Sequence, residues 1–89
     1  MKLLLCRACQ DIVKLGSGKF RKCACGKSSG RYLSDDWHAE LKGENAVPIC
    51  FLNTTLADAI VYQLISGGVG KEFIAFVAAK DHPTIKYVK

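Results

Sequence analysis

Long hydrophobic runs are missing from this sequence. No apolar stretch approaches the ~18 residues that a membrane-crossing helix requires. The opening apolar stretch ends at Cys6-Arg7, which is too short for the hydrophobic core of an export signal. We therefore expect a cytoplasmic protein with no membrane contact. Proline occurs only twice in 89 residues, and 49% of the residues are hydrophobic, which argues against a disordered or collagen-like chain.

Acidic residues are almost absent from the first third of the chain. Residues 1–31 hold eight lysines and arginines against the single acid Asp11, whereas residues 32–89 hold five lysines against seven acids. The net charge of +5 is therefore unevenly distributed. An anionic partner should meet the first third of the chain first.

Four of the five cysteines lie in the same basic third. Cys6 and Cys9 form a C-x2-C pair, thirteen residues follow, and Cys23 and Cys25 form a C-x-C pair. Such paired spacing predicts one structural zinc ion per chain, held by these four thiolates. A rubredoxin-like iron centre, a redox dithiol and disulfides remain alternatives. Because the four sulfurs leave no ligand position for water, we expect a structural site and not an enzyme.

The insert between the cysteine pairs predicts a hairpin. Residues 11–15 and 19–22 have strand patterns, and Gly16-Ser17-Gly18 separates them as a turn. We therefore predict an α+β protein in two parts that form one compact domain. Residues 1–30 would be a zinc-ribbon-like hairpin lobe, and residues 31–89 a small, mostly antiparallel sheet with one helix.

The remaining pattern predicts the elements of that sheet. A buried strand should follow Pro48, with Cys50 as a core thiol. A helix should begin at Asn53-Thr54-Thr55, stop at Gly67 and pack one apolar face on the sheet, and Thr55 and Asp58 suggest a capping box. A central strand over 72–79 and an edge strand over 85–88 should follow. Trp37 is predicted in the core, and His38 and His82 are predicted in solvent.

Two basic segments are candidates for contact with an anion or a nucleic acid. The first is a hairpin tip with an aromatic residue between cations, and the second is a loop bracketed by Gly26 and Gly30. Alternatively, these charges are solvated and offset the thiolates of the metal centre. The candidate residues are Lys19, Phe20, Arg21, Lys22, Lys27, Ser28, Ser29 and Arg31.

The segments Cys6-Arg7-Ala8-Cys9 and 23–32, with the Ala46-Val47-Pro48 stretch, resemble a group of small bacterial and phage proteins without an established activity. Residues 1–30 are also similar to zinc ribbons in general. The resemblance implies the four metal ligands and, for a phage protein, the host cytoplasm, but no activity.

Three functions remain open at this point. The first is a nucleic-acid-associated or regulatory zinc-binding module. The second is a protein that binds or sequesters a nucleotide, another phosphate-bearing molecule or a host factor, with Tyr32 and Trp37 available for ring stacking. The third is a protein-interaction module that binds a protein partner or forms a homo-oligomer.

Overall fold

The computed structural model describes residues 1–88 and has mixed α+β architecture, with two sheets and one helix in that range. This confirms the α+β class. The elements in chain order are β1 (Lys2–Cys6), β2 (Ile12–Lys14), β3 (Gly16–Ser17), β4 (Arg21–Lys22), β5 (Ser29–Tyr32), β6 (Ala39–Lys42), β7 (Ala46–Phe51), α1 (Asn53–Ser66), β8 (Ala75–Val77) and β9 (Ile85–Val88).

The strands form two sheets. The first sheet has the antiparallel order β2-β1-β7-β8. The second has the order β3-β5-β6-β9, and β4 also pairs with β5. Its β3–β5 and β6–β9 pairings are parallel, and its other pairings are antiparallel. The first thirty residues supply strands to both sheets, and β1 pairs over its whole length with β7.

The predicted hairpin between residues 11–15 and 19–22 is wrong. β2 pairs with β1, and β4 pairs with β5, so the two strands of the insert belong to different sheets. Each cysteine pair instead lies at the turn of its own hairpin. Cys6 ends β1 and Cys9 lies in the turn before β2, whereas Cys23 and Cys25 lie between β4 and β5. The two strands that flank each cysteine turn therefore pair with each other. The glycine-containing insert connects the first sheet to the second.

Apolar side chains from both sheets form the core. β1 and β7 alternate between buried and half-buried positions, as expected for strands with one inner face. The core includes Leu4, Leu15, Leu41 and Ile85, which are all at most 6% exposed. Gly30 lies directly against it, because a Cβ there would stand 2.6 Å from Leu15 Cδ2 and 2.8 Å from Leu41 Cδ2.

Helix α1 begins at Asn53 and ends before Gly67, as the sequence predicts. The predicted capping box is wrong, because Leu52 precedes the helix and offers no side-chain cap. Thr55 Oγ1 instead donates a hydrogen bond to Leu52 O at 2.8 Å and accepts one from the Ile74 N–H at 2.9 Å. This hydroxyl ties the start of α1 to the segment before β8.

The prediction that α1 packs one face on the sheet is wrong. Ala59 is the buried residue of this helix, and Leu64 and Ile65 are each 80% exposed. The predicted central strand over 72–79 shortens to β8, an edge strand with three exposed residues. Trp37 is 61% exposed and so does not belong to the core. The strand predicted at 85–88 is confirmed as β9 at the edge of the second sheet.

Candidate metal centre and basic face

The first cysteine turn is held by backbone hydrogen bonds. The Gln10 N–H donates to Cys6 O at 2.8 Å, and the Cys6 N–H donates to Asp11 O at 2.9 Å. Gln10 adopts a left-handed conformation with φ of 64°, which reverses the chain immediately after Cys9. The turn therefore brings the side chains of Cys6 and Cys9 to the same side.

The second cysteine turn has the same construction. The Cys23 N–H donates to Ser28 O at 2.9 Å, and the Gly26 N–H donates to Cys23 O at 3.1 Å. Gly26, directly after Cys25, has φ of 77°, which glycine adopts without steric cost. Asp11 joins the two turns, because its Oδ2 accepts a hydrogen bond of 2.9 Å from the Ala24 N–H.

The two turns bring the four predicted ligands together. The sulfur atoms of Cys6, Cys9, Cys23 and Cys25 all lie within 4.8 Å of one another. Cys6 Sγ is 3.8 Å from Cys25 Sγ, and Cys23 Sγ is 3.5 Å from Cys25 Sγ. A tetrahedron with metal–sulfur bonds of ~2.3 Å has edges of ~3.8 Å. These four cysteines can therefore hold a metal ion.

Ser28 donates hydrogen bonds to two of the four cysteine sulfurs. It is 1% exposed, its hydroxyl donates to Cys6 Sγ at 3.2 Å, and its backbone N–H donates to Cys23 Sγ at 3.4 Å. The hydroxyl bond is the largest cause that lowers the pKa of Cys6 to about 6. Ser28 thus favours the thiolate form that a metal ion requires, as a hydrogen-bonding residue around a metal site does.

The thiols of the cluster differ in pKa, which is lowered for Cys6 and raised for Cys25. The Lys27 backbone N–H favours the Cys25 thiolate, but desolvation and hydrogen bonds with Cys23, Cys9 and Cys6 outweigh it and raise the pKa of Cys25 to about 11. Four thiolates this close repel one another. A cation among them allows all four to ionise, so metal binding should release protons.

The fifth cysteine lies elsewhere. Cys50 on β7 is 6% exposed and pairs with Lys2 of β1 in the first sheet. Burial raises the pKa of its thiol. Cys50 is therefore a core thiol, as the sequence predicts.

The loop between Gly26 and Arg31 does not form the predicted anion cradle. Ser29 is 7% exposed, and Ser28 is buried beneath the sulfurs, so neither hydroxyl lies where a solvent anion would bind. The Arg31 guanidinium donates to Glu40 Oε1 at 2.6 and 2.8 Å and to Gly18 O at 3.0 Å. Lys27 remains exposed beside the cysteine turn.

The strand register assembles a different basic surface. Lys22, Ser29 and Lys42 occupy one row across β4, β5 and β6, and Arg31, Glu40 and Lys86 occupy another across β5, β6 and β9. Both rows face away from the core, because the alternate residues Gly30, Leu41 and Ile85 face inward. We call the outward surface the basic face and define it by Lys22, Arg31, Lys42, Lys86 and Phe20.

Phe20 lies over this face. Its ring centroid is 4.5 Å from Arg31 Cζ and 4.3 Å from Lys42 Nζ, within the range of cation–π contacts. Arg21 follows Phe20 but is exposed on the other side of β4, since neighbouring residues of a strand point to opposite faces. Lys19 is exposed in the turn before β4.

Sequence reasoning missed Lys42 and Lys86. Both follow residues that are buried in their strands, Leu41 and Ile85. Alternation of polar and apolar residues in these strands points both lysines outward. Their placement on one face with Lys22 depends on strand pairing, which alternation does not reveal.

Comparisons with known proteins add no identification. No protein-family model matches the chain, and neither the curated proteins nor the solved structures contain a match. Within residues 1–88, α1 has 14 residues, and no helix there combines the length and apolar content that a membrane crossing needs.

Proposed function

We propose that this chain is a small zinc-binding protein whose basic face contacts single-stranded nucleic acid. In this proposal the zinc ion is structural, and its ligands are Cys6, Cys9, Cys23 and Cys25. When bound, the ion cross-links the β1–β2 turn to the β4–β5 turn, which belong to different sheets. All four ligands are cysteine sulfurs, the donor set of closed structural zinc sites.

The basic face carries the nucleic-acid part of the proposal. It combines four cations with one aromatic ring, and two of the cations, Arg31 and Lys42, lie over that ring. Glu40 is the acid of these two rows, where it pairs with Arg31. Proteins that bind single strands on a sheet combine cations for the phosphates with aromatic rings for the bases. The basic face of this sheet offers the same two chemical groups.

The metal assignment is tested by elemental analysis of the purified protein, followed by chelation monitored by circular dichroism. We expect one zinc ion per chain and loss of structure when the chelator removes it. Iron at the same stoichiometry, or cysteines joined as disulfides, would contradict the zinc assignment.

Nucleic-acid binding is tested by fluorescence anisotropy with a short labelled single-stranded RNA or DNA. We expect affinity to fall steeply with rising salt, because phosphate contacts release counterions. The double variant Lys22→Glu, Lys42→Glu should weaken binding by at least about tenfold. The matched control, Lys71→Glu, Lys80→Glu, changes net charge equally at exposed lysines outside the face and should retain binding. An equal loss of nucleic-acid affinity in both variants would contradict the assignment of binding to the basic face.

Self-association is a second candidate function, favoured by the exposed apolar surface of α1 and the segment through β8. Apart from Phe76, nine large apolar residues there are each at least 38% exposed. Counting roughly 150 Å² for each fully exposed side chain, their accessible area is on the order of 900 Å². They are Ile60, Val61, Tyr62, Leu64, Ile65, Val69, Phe73, Ile74 and Val77.

A second copy of this chain is the occupant that fits this surface. A standard interface buries ~800 Å² from each partner, which is the same order as this exposed apolar area. β8 is a sheet edge with free backbone groups that a second β8 can pair with. Light scattering after gel filtration should give a dimer, and Leu64→Glu, Ile65→Glu should give a monomer. A monomeric wild type at high micromolar concentration would contradict this candidate.

A further inference from the structure

A cleft of about 310 Å³ lies away from both the cysteine cluster and the basic face. It forms where the ends of β1 and β7 meet the start of α1, the β5–β6 turn and the turn before β9. Its lining includes Lys2, Trp37, Asn53, Phe76, His82 and Thr84. The volume is at the lower end of the range for small-molecule sites.

Lys2 lies in this cleft at a buried position of β1, where strand alternation predicts an apolar residue. It shares the inner face of β1 with Leu4 and Cys6 and is only 8% exposed. The strand register places it in one row with Cys50 and Phe76. A lysine at a core-facing position breaks the local pattern, and such exceptions are expected at functional sites.

The Lys2 ammonium has no anionic partner among residues 1–88. Its Nζ donates to Trp37 O at 2.7 Å and lies 4.6 Å from the centroid of the Trp37 ring and 5.9 Å from that of Tyr32. Among the acids of that range, Glu40 pairs with Arg31, and Asp35 contacts His38. None of the described lining residues is acidic. A buried ammonium is costly without a counter-charge, so the cleft favours an anion.

Two further groups in the lining present donors or positive potential. Leu52, Asn53 and Thr54 place the start of α1 at the cleft, and this helix has neither a side-chain cap nor an acidic residue in its first turn. Its dipole therefore presents positive potential there. His82 Nδ1 accepts from the Thr84 N–H at 3.2 Å, which leaves Nε2 as the ring's donor.

Aromatic surface borders the same cleft. Trp37 is 61% exposed and Phe76 is 42% exposed, although both line a concave site. Exposed rings beside a buried cation suit a ligand with a planar ring at one end and a negative charge at the other.

We propose that this cleft binds a small organic anion with a planar ring, with the anionic group at Lys2 and the ring against Trp37 and Phe76. Nucleoside monophosphates represent this class. The site is separate from the proposed nucleic-acid face and does not depend on it.

Trp37 reports directly on the cleft, because it is the one tryptophan of the sequence. Its fluorescence should change saturably when nucleoside monophosphates are titrated into the metal-loaded protein. The matching nucleosides lack the anionic group, and inorganic phosphate lacks the ring. Because each offers only half of the proposed contacts, both should bind at least about tenfold more weakly than the monophosphate. Benzoate, whose ring does not emit where tryptophan does, distinguishes a carboxylate from a phosphate. No saturable change with any of these ring-bearing anions at millimolar concentration would overturn the proposal, as would equal affinity for nucleoside and monophosphate.

Lys2→Met tests the cation while keeping the length of the buried side chain. We expect at least about tenfold weaker binding of the monophosphate without loss of the folded state, since an unpaired buried charge is removed. Lys71→Met is the matched control, because this exposed lysine lies over Tyr62, outside the cleft. Unchanged affinity in Lys2→Met would refute the assignment. Lys22→Glu, Lys42→Glu should leave monophosphate binding intact, so this proposal and the nucleic-acid proposal fail separately.

Discussion

The two sheets with their cysteine turns differ sharply in packing from the region of α1 and β8. Leu4 and Leu41 are at most 1% exposed, whereas Leu64 and Ile65 on α1 are 80% exposed. Both regions are rich in apolar residues, so hydrophobicity does not explain the difference. The sheets bury their apolar faces against each other, while nothing among the described residues covers most of α1. Stability should therefore depend on the first region, and association on the second.

The largest effect should come from the metal ligands. Cys6→Ser should abolish stoichiometric zinc binding and unfold the cysteine turns, because structural zinc contributes ~10–16 kcal/mol to folding in small zinc peptides. Metal content and circular dichroism measure both effects.

Cys50→Ser is the control for that change, since Cys50 is a buried cysteine outside the cluster. It should keep one zinc ion per chain. Zinc retained in Cys6→Ser would show that the turns hold the metal without this ligand, and it would remove the basis for contrasting the two regions.

The second effect compares one leucine from each region. Leu41→Ala leaves a cavity in the core and should lower the free energy of unfolding by about 2–5 kcal/mol. Leu64→Ala removes the same atoms from an exposed position and should change it by less than about 0.5 kcal/mol in the monomer. Urea denaturation at low protein concentration measures both. A comparable loss in the two variants would mean that Leu64 is packed as tightly as Leu41 and that the two regions do not differ.

A smaller effect should follow from overfilling the core at β5. In Gly30→Ala, the new methyl group would meet Leu15 and Leu41 below van der Waals distance, at a cost of about 1–3 kcal/mol. Thermal denaturation measures the loss. Adding Leu15→Val should recover part of the stability lost at Gly30, because the two sites share one volume. Strict additivity of the two changes would contradict this contact.

The smallest effect should come from the β5–β6 turn. Asp35 accepts hydrogen bonds from the Trp37 and His38 N–H groups at 3.0 and 2.9 Å. These contacts lower the pKa of Asp35 from 3.8 to about 2. The hydrogen bond from the Trp37 N–H contributes most, and the contacts with His38 add to it. Asp35→Ala should lower the urea midpoint slightly at neutral pH.

The sign of the pH dependence follows from that lowered pKa. The carboxylate stabilises the folded state fully above about pH 4, and this contribution is lost as pH falls towards 2. The difference between Asp35→Ala and the wild type should therefore be present at both pH 7 and pH 5. Equal midpoints at pH 7 would mean that the cap does not stabilise the turn.

Local patterns in the sequence were sufficient for several elements. The spacing of Cys6, Cys9, Cys23 and Cys25 predicts their cluster, because each short turn orients two sulfurs together. The apolar spacing and Gly67 predict α1 and its end. The helix and the orientation of the two sulfurs within each cysteine pair depend on contacts within a few residues of the chain.

Features that depend on strand partners were not predictable in this way. The insert between the cysteine pairs has the pattern of one hairpin, yet its strands pair with β1 and β5 in different sheets. Lys22, Lys42 and Lys86 come onto one face only because β4, β6 and β9 all belong to the second sheet. Lys2 is buried because it lies on the inner face of β1, in one row with Cys50 and Phe76 of the paired strands.

The sequence by itself determined the four clustered cysteines, the α+β class and the basic bias of the first third. Short-range spacing, hydrophobic periodicity and composition carry that information. Tertiary structure alone decided which cations share a face, which serine supports the sulfurs and where a buried lysine meets an exposed tryptophan. Those neighbours are far apart in the chain, and only the pairing of strands into two sheets brings them within contact distance.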